Sequence, residues 1–291
     1  MSYTTADLIA SVRRRASLPN SQDLFSEQDL IDFANDEMAN SLITTIMSAR
    51  EDYFVADYDY SVVAGQSDYT IPTRAIGSKL RDVQLLYSGT IRSLPRLALE
   101  DRTSTTTGPL GFYLKANKVQ LSPTPTASTD TLRLVHFRRP GLLTLTTSAG
   151  QVTDIDTDLN NVTVSLAPTS FTNGTEVDFI KQTSGFECIA IDQEIVSISG
   201  SVINFASIPS ELAVGDWITI AGESPIPQIP LELFQTLVQC VVVRVLDSMG
   251  DPKVEPAIKQ RDAMLETALN LISPRVDGAP KKFLSKPLLR R

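Results

Sequence analysis

Little in this chain invites chemistry. Its 291 residues hold one histidine (His136), one tryptophan (Trp217) and two cysteines (Cys188 and Cys240). Two thiols make no disulfide framework, and both read as small buried apolar residues. One histidine and two separated cysteines cannot supply the several ligands that a zinc site needs. His136 lies in an alternating stretch beside Arg138 and Arg139 and reads as a core or surface strand residue rather than a catalyst. No glycine-rich phosphate loop follows a strand; Gly250-Asp251-Pro252 reads as one helix end meeting the next helix start.

Long apolar runs are also missing. The richest window, 231–249, is broken by Glu232, Gln235, Gln239, Arg244 and Asp247, far from the roughly 18 apolar residues of a membrane span. The opening MSYTTADLIASVRRRA has no apolar core after a basic start, so no signal peptide is expected and the protein should stay where it is made. Asn173-Gly174-Thr175 fits a glycosylation sequon but reads more simply as a turn.

What is present is an ordinary core-forming composition, 42% hydrophobic and 21% charged, in helix–strand–strand–helix order. Thr4 or Thr5 can cap a helix with Leu8, Ile9 and Val12 on one face. Ser26 with Asp29 starts a second, carried to about Arg50 by Leu30, Ile31, Phe33, Ala34, Met38, Leu42 and Ile46. From Tyr53 the period becomes two. Tyr58, Tyr60 and Val62 alternate toward Ala64-Gly65, and Tyr69 and Ile71 alternate back, a hairpin pattern. A strand over 83–87, a hairpin over 112–121 and a strand over 132–137 follow, with a polar loop at 103–108.

A denser set of short strands, including 162–166, 176–180, 188–191, 195–198, 202–205 and 217–220, suggests an inserted small barrel or sandwich. The helical pattern resumes after Pro225, Pro227 and Pro230. One helix runs to Met249 with Gly250 as its cap, and its apolar residues cover so much of the circumference that several neighbours must bury it. Asp251-Pro252 caps the last helix, with Ala257, Met264, Leu265, Ala268, Leu269 and Ile272 facing in and Pro274 stopping it. The expected class is α+β: a four-helix unit built from both chain ends, a β module, and an inserted small β barrel or sandwich. The expected divisions are 1–52, 53–141, 142–222, 223–274 and a tail, 275–291.

Three motifs raise chemistry and fall short. Asp154, Asp156, Asp158 and Asn160 mimic the start of a calcium loop, but Leu159 and Ser165 stand where glycine and glutamate belong, which favours a polar β-turn. Glu37, Asp52 and Asp57 could pair in a hydrolytic cleft only if the fold brought two together. Arg13-Arg14-Arg15 could touch phosphates, but the chain carries a formal −8, so a solvated helix face or salt bridges to an acidic neighbouring subunit is favoured.

The tail inverts that charge. From Arg275 onward it holds six Lys/Arg against Asp277, a net +5 that leaves −13 on the residues before it. Pro274, Pro280 and Pro287 forbid a long helix, and the few apolar residues cannot make a core. Such a segment is built to lie on a partner.

The arrangement resembles the head-to-tail adaptor (connector) proteins of tailed bacteriophages, of podovirus-like type. The resemblance rests on LIASVRRRASLPNSQDLFSEQDLIDFANDEM with its short helix, Pro/Asn break and Ser-x-x-Asp-Leu-Ile start. It rests also on YTIPTRAIGSKLRDVQLL with GFYLKANKVQLSPTP and LRLVHFRRPG, and on the closing helix pair with LISPRVDGAPKK and its basic tail. LAVGDWITIAG resembles a small barrel element of phage structural proteins. The resemblance implies a virion structural protein of the neck, made in the host cytoplasm, without enzymatic activity, cofactor or metal. It implies a dodecameric ring that joins the portal protein to a downstream tail or nozzle protein and passes DNA without binding it specifically. Arg275, Lys281, Lys282, Lys286, Arg290 and Arg291 would meet acidic portal groups, and Phe283, Leu288 and Leu289 would fill apolar pockets between portal subunits. The competing assignments are another tail ring, nozzle or terminator, and a β-rich carbohydrate-binding or hydrolytic module.

Overall fold

The structure, a computed structural model, describes residues 3–18, 24–98, 109–183 and 185–273. Both the 103–108 loop and the 275–291 tail with its docking residues lie outside the described residues.

Local chemistry starts the first two helices. Thr4 caps α1 (Thr5–Arg15) and Ser26 caps α2 (Glu27–Glu37). In each case the hydroxyl accepts the backbone N–H three residues on, while Asp7 or Asp29 reaches back to the cap N–H. A π turn, Met38–Leu42, joins α2 to α3 (Ile43–Ala49) without a break. At the other chain end, α4 (Phe234–Met249) follows a 3₁₀ turn, Leu231–Leu233, and ends at Gly250. Gly250 adopts φ +64°, the left-handed conformation that closes a helix at little cost only for glycine. Helix α4 packs against α1, α2 and α5 (Val254–Ile272), which is why Val241, Val242 and Val243 can all be buried in it. Leu8, Leu30, Leu42, Ile46, Leu237 and Val241 are fully buried in this shared core, each contributing about 1.5–3 kcal/mol by leaving water.

Helix α5 departs from expectation. It begins at Val254 rather than at Asp251-Pro252, because Asp251 Oδ1 instead accepts the Lys253 N–H within a turn. Of the residues expected to face in, Ala257, Ala268 and Ile272 are buried and Leu265 and Leu269 pack against the core while partly buried, whereas Met264 is partly buried at its margin. Only one side of the helix meets α4.

Next come β1 (Val55–Ser61), β2 (Asp68–Thr70), β3 (Ala75–Tyr87), β4 (Thr90–Ser93), β5 (Gly111–Lys115), β6 (Lys118–Ser122) and β7 (Thr131–Arg138). They form two antiparallel sheets, ordered β1-β7-β3-β4 and β2-β6-β5. The expected β1–β2 hairpin does not exist. Strand β1 pairs with β7, continued by the Val62 N–H to Asp130, while β2 crosses to β6. Alternation reported correctly which side chains are buried, but period two carries no information about which strand lies alongside. The two segments meet without a strand ladder: Tyr60 and Tyr69 rings lie 5.7 Å apart, and the Tyr60 hydroxyl donates to the Thr70 backbone O at 2.6 Å.

The inserted block is a closed barrel, not a sandwich. Its strands are β9 (Gly150–Asp156), β10 (Asn161–Val164), β11 (Glu176–Ile180), β12 (Cys188–Ser199), β13 (Val202–Phe205) and β14 (Trp217–Ile220), with order β10-β13-β12-β11-β14-β9. The expected strands at 188–191 and 195–198 are one strand, β12, kinked at Asp192 with φ +55°. Register shifts against β11 mark the kink as a bulge, which lets a long strand bend around the barrel. Phe179, Phe205, Val162, Ile195, Ile203 and Ile218 fill the interior.

A short parallel ribbon, β8 (Leu142–Leu143) with β15 (Glu223–Ser224), gathers the strands entering and leaving the barrel. A side chain at Gly141 would meet the Glu223 backbone at 3.0 Å, so the two segments pass closely only because glycine stands there.

Candidate docking surfaces

The fold places the polar residues that the sequence singled out in separate, mostly structural settings. His136 is buried in β7, with Nδ1 3.3 Å from Leu134 O, and burial holds its pKa below the ordinary value. Cys240 is buried in α4, and burial pushes its thiol up to about 12. Cys188 differs from expectation: it is half-buried and accepts a hydrogen bond from Gln228 Nε2 at 3.2 Å, though burial raises its pKa too. The Asp154–Asn160 stretch forms the β9–β10 turn, where Asp156 Oδ1 accepts the Asp158 and Leu159 N–H groups. Asn173 likewise sits in a turn. Among the described residues, no three His, Cys, Asp or Glu side chains stand close enough to hold a metal ion.

The three carboxylates considered for hydrolysis do not converge. Glu37 binds Arg244 at 2.5 Å, Asp52 meets Arg50 at 3.4 Å, and Asp57 meets Arg133 at 3.6 Å. Each lies beside a different cation, Glu37 buried and Asp52 and Asp57 exposed, and Arg133 is shared with Asp59, which holds it at 2.7 and 2.8 Å. Of the arginine triplet, Arg15 is exposed and binds Gln235 and Gln239 across to α4, while Arg13 and Arg14 line an open cleft beside α1.

The densest polar geometry was not visible in the sequence. Arg74, just before β3, makes a two-pronged contact with Asp178 of β11 at 2.6 and 3.0 Å and reaches Asp192 at the β12 kink at 2.5 Å. Asp178 is buried and also accepts the Asp192 and Gly222 N–H groups. Burial works against the Arg74 charge, but Asp178 and Asp192 outweigh it, so its pKa is raised. Beside it, Arg138 donates to Phe186 O at 2.7 Å and lies over the Phe186 ring, which packs in turn on Phe54. The barrel is thus fastened to both the strands and the helices.

The ribbon is fastened as well. The Asn35 side chain donates to Leu143 O and accepts the Leu143 N–H, at 3.0 and 2.7 Å. Thr5 donates its N–H to Pro225 O and its hydroxyl to Thr144 O, both at 2.8 Å. These hydrogen bonds tie the first helices to the segments that enter and leave the barrel. No described helix is long and apolar enough to cross a membrane.

Comparison with known families agrees with that class. Residues 3–168, more than half of the chain, match the family described as SU10 adaptor protein, and the chain belongs to that family. It is therefore an adaptor-type structural protein of a phage particle. No curated protein matches it.

Proposed function

We propose that this chain is the head-to-tail adaptor of a podovirus-like phage, a dodecameric ring that joins the portal to the tail and continues the DNA channel. Membership of the SU10 adaptor family carries the reading. The acidic body supports it, because a wall that repels phosphates lets DNA pass without gripping it. In this reading the helical unit, residues 1–52 with 223–274, forms the ring. The β module (53–141) and the barrel (142–222) face outward or toward the tail.

Residues 275–291 dock on the portal. Arg275, Lys281, Lys282, Lys286, Arg290 and Arg291 meet acidic groups there, and Phe283, Leu288 and Leu289 enter pockets between portal subunits. Modest affinity per copy is enough, because ring symmetry multiplies it. Truncation after Pro274 tests this assignment. The shortened protein should fold normally yet fail to bind purified portal or complete heads; infectious particles made with it would refute the docking role.

A further inference from the structure

Two features of the helical unit fit each other but face opposite ways. The first is a cleft of about 480 Å³ along the outer side of α1, with Ala6, Ile9, Ala10, Leu18 and Leu145 among its walls and Arg13 and Arg14 at its side. Arg13 Nε is buried and has no hydrogen-bond partner among the described residues, so one donor of the cleft wall is unmet. Arg14 spends one N–H on Ser11 at 3.5 Å and is otherwise exposed. Glu27, at the start of α2, closes the far end.

The second is a ridge on α2 made by Asp29, Asp32 and Asp36, all exposed, with the small Ala39 continuing it. Asp29 is turned to the Ser26 cap, and Asp32 accepts from Gln28 at 2.9 Å. Arg244, the cation beside the ridge, is bound to Glu37. The ridge is left acidic. Asp36 follows Glu27 by nine positions, which at about 100° per residue is half a turn. The ridge therefore points away from the cleft that Glu27 lines, and the two cannot meet within one chain.

We propose that the α2 ridge of one copy seats in the α1 cleft of the next, with Asp32 and Asp36 supplying carboxylate partners for Arg13 and Arg14, which form no ion pair among the described residues. Unlike surfaces on opposite flanks make a heterologous contact, and such contacts repeat around a ring when the rotation closes. The charge pairing selects register and the correct neighbour. The contact rests on the ring reading above and names the surfaces that build it.

Charge reversal in the full-length chain is the test, with assembly read as particle mass alone and on purified portal. Arg14→Glu and Asp36→Arg each set like charges across the contact and should weaken assembly by about tenfold or more. The double variant restores attraction with the signs exchanged and should assemble within about threefold of the wild type. Reversals without effect, or a double variant no better than either single, would overturn the contact while leaving the ring standing. A wild-type chain that forms no closed oligomer in either condition would remove the ring and the contact together. If a reversal variant loses its fold by circular dichroism, Ala10→Cys with Ala39→Cys in one chain reads the same contact. Oxidised rings should give a ladder of covalently linked copies, and rings without that ladder overturn the proposal.

Discussion

Arg74 Nη1 lies 2.6 Å from Asp178 Oδ2, across 104 residues of sequence, and Asp178 is almost wholly buried. The pair joins the strand layer to the barrel. Removing only the cation leaves a buried carboxylate without its partner, so Arg74→Met should cost about 3–5 kcal/mol. Asp192→Asn removes a half-exposed partner and should cost less than about 1 kcal/mol. Urea unfolding of the two variants measures the difference, and equal costs would show that Asp178 does not depend on Arg74.

His136 is the one histidine of the chain, and it adds a pH-dependent contribution to stability just below neutrality. Its folded pKa lies below the ordinary 6.5 because burial disfavours the imidazolium. Above 6.5 both folded and unfolded histidines are neutral and the residue has no effect. As the pH falls below 6.5 the unfolded chain takes up a proton first, so stability declines until the folded pKa is reached, by at most about 1.4 kcal/mol per pH unit. His136→Gln should flatten that decline in unfolding curves between pH 6.5 and pH 5. An unchanged slope would place its origin elsewhere.

Gly250 has open space around the position of a missing side chain, so any penalty there is conformational. Gly250→Ala should lower stability by about 1–2 kcal/mol, and Gly250→Asn by less, since asparagine tolerates φ near +60°. Thermal melting distinguishes the two variants.

The Asn35 amide serves the Leu143 backbone in both directions, as a neighbouring strand would. Asn35→Leu strands one donor and one acceptor in a largely buried setting, at about 1–3 kcal/mol each. Amide exchange should report the loss directly: the Leu143 N–H, protected in the wild type, exchanges faster in the variant while the α1 core stays protected.

Much of this architecture could be read along the chain. Ser26 and Asp29 mark a helix start because their hydrogen bonds close within three residues. Tyr113 and Gln120 face each other across a two-residue turn, as their alternation suggested. Strand β4 escaped notice because every residue of Thr90–Ser93 is exposed and no apolar pattern marks it. The β1–β2 hairpin failed for the opposite reason: the pattern was real, but Asp130 and Val119 supplied the partners from far along the chain. Of the candidate docking surfaces, the tail was conspicuous by charge, whereas the α1 cleft needs Leu145 beside Ile9 and could not be foreseen.

By itself the sequence determined where α1 and α2 begin and α4 ends, most of the turns, which faces are apolar, and that a basic segment follows an acidic body. Those features depend on capping bonds, backbone freedom and side-chain transfer, all set within a few residues. Only the tertiary structure decided that six strands close into a barrel, which strand lies beside β1, that Asp178 finds Arg74, and that Arg13 and Arg14 flank a cleft while the α2 carboxylates face away from it. Strand pairing and charge neutralisation depend on groups that loop closure brings together, and the residues between them carry no local record of the meeting.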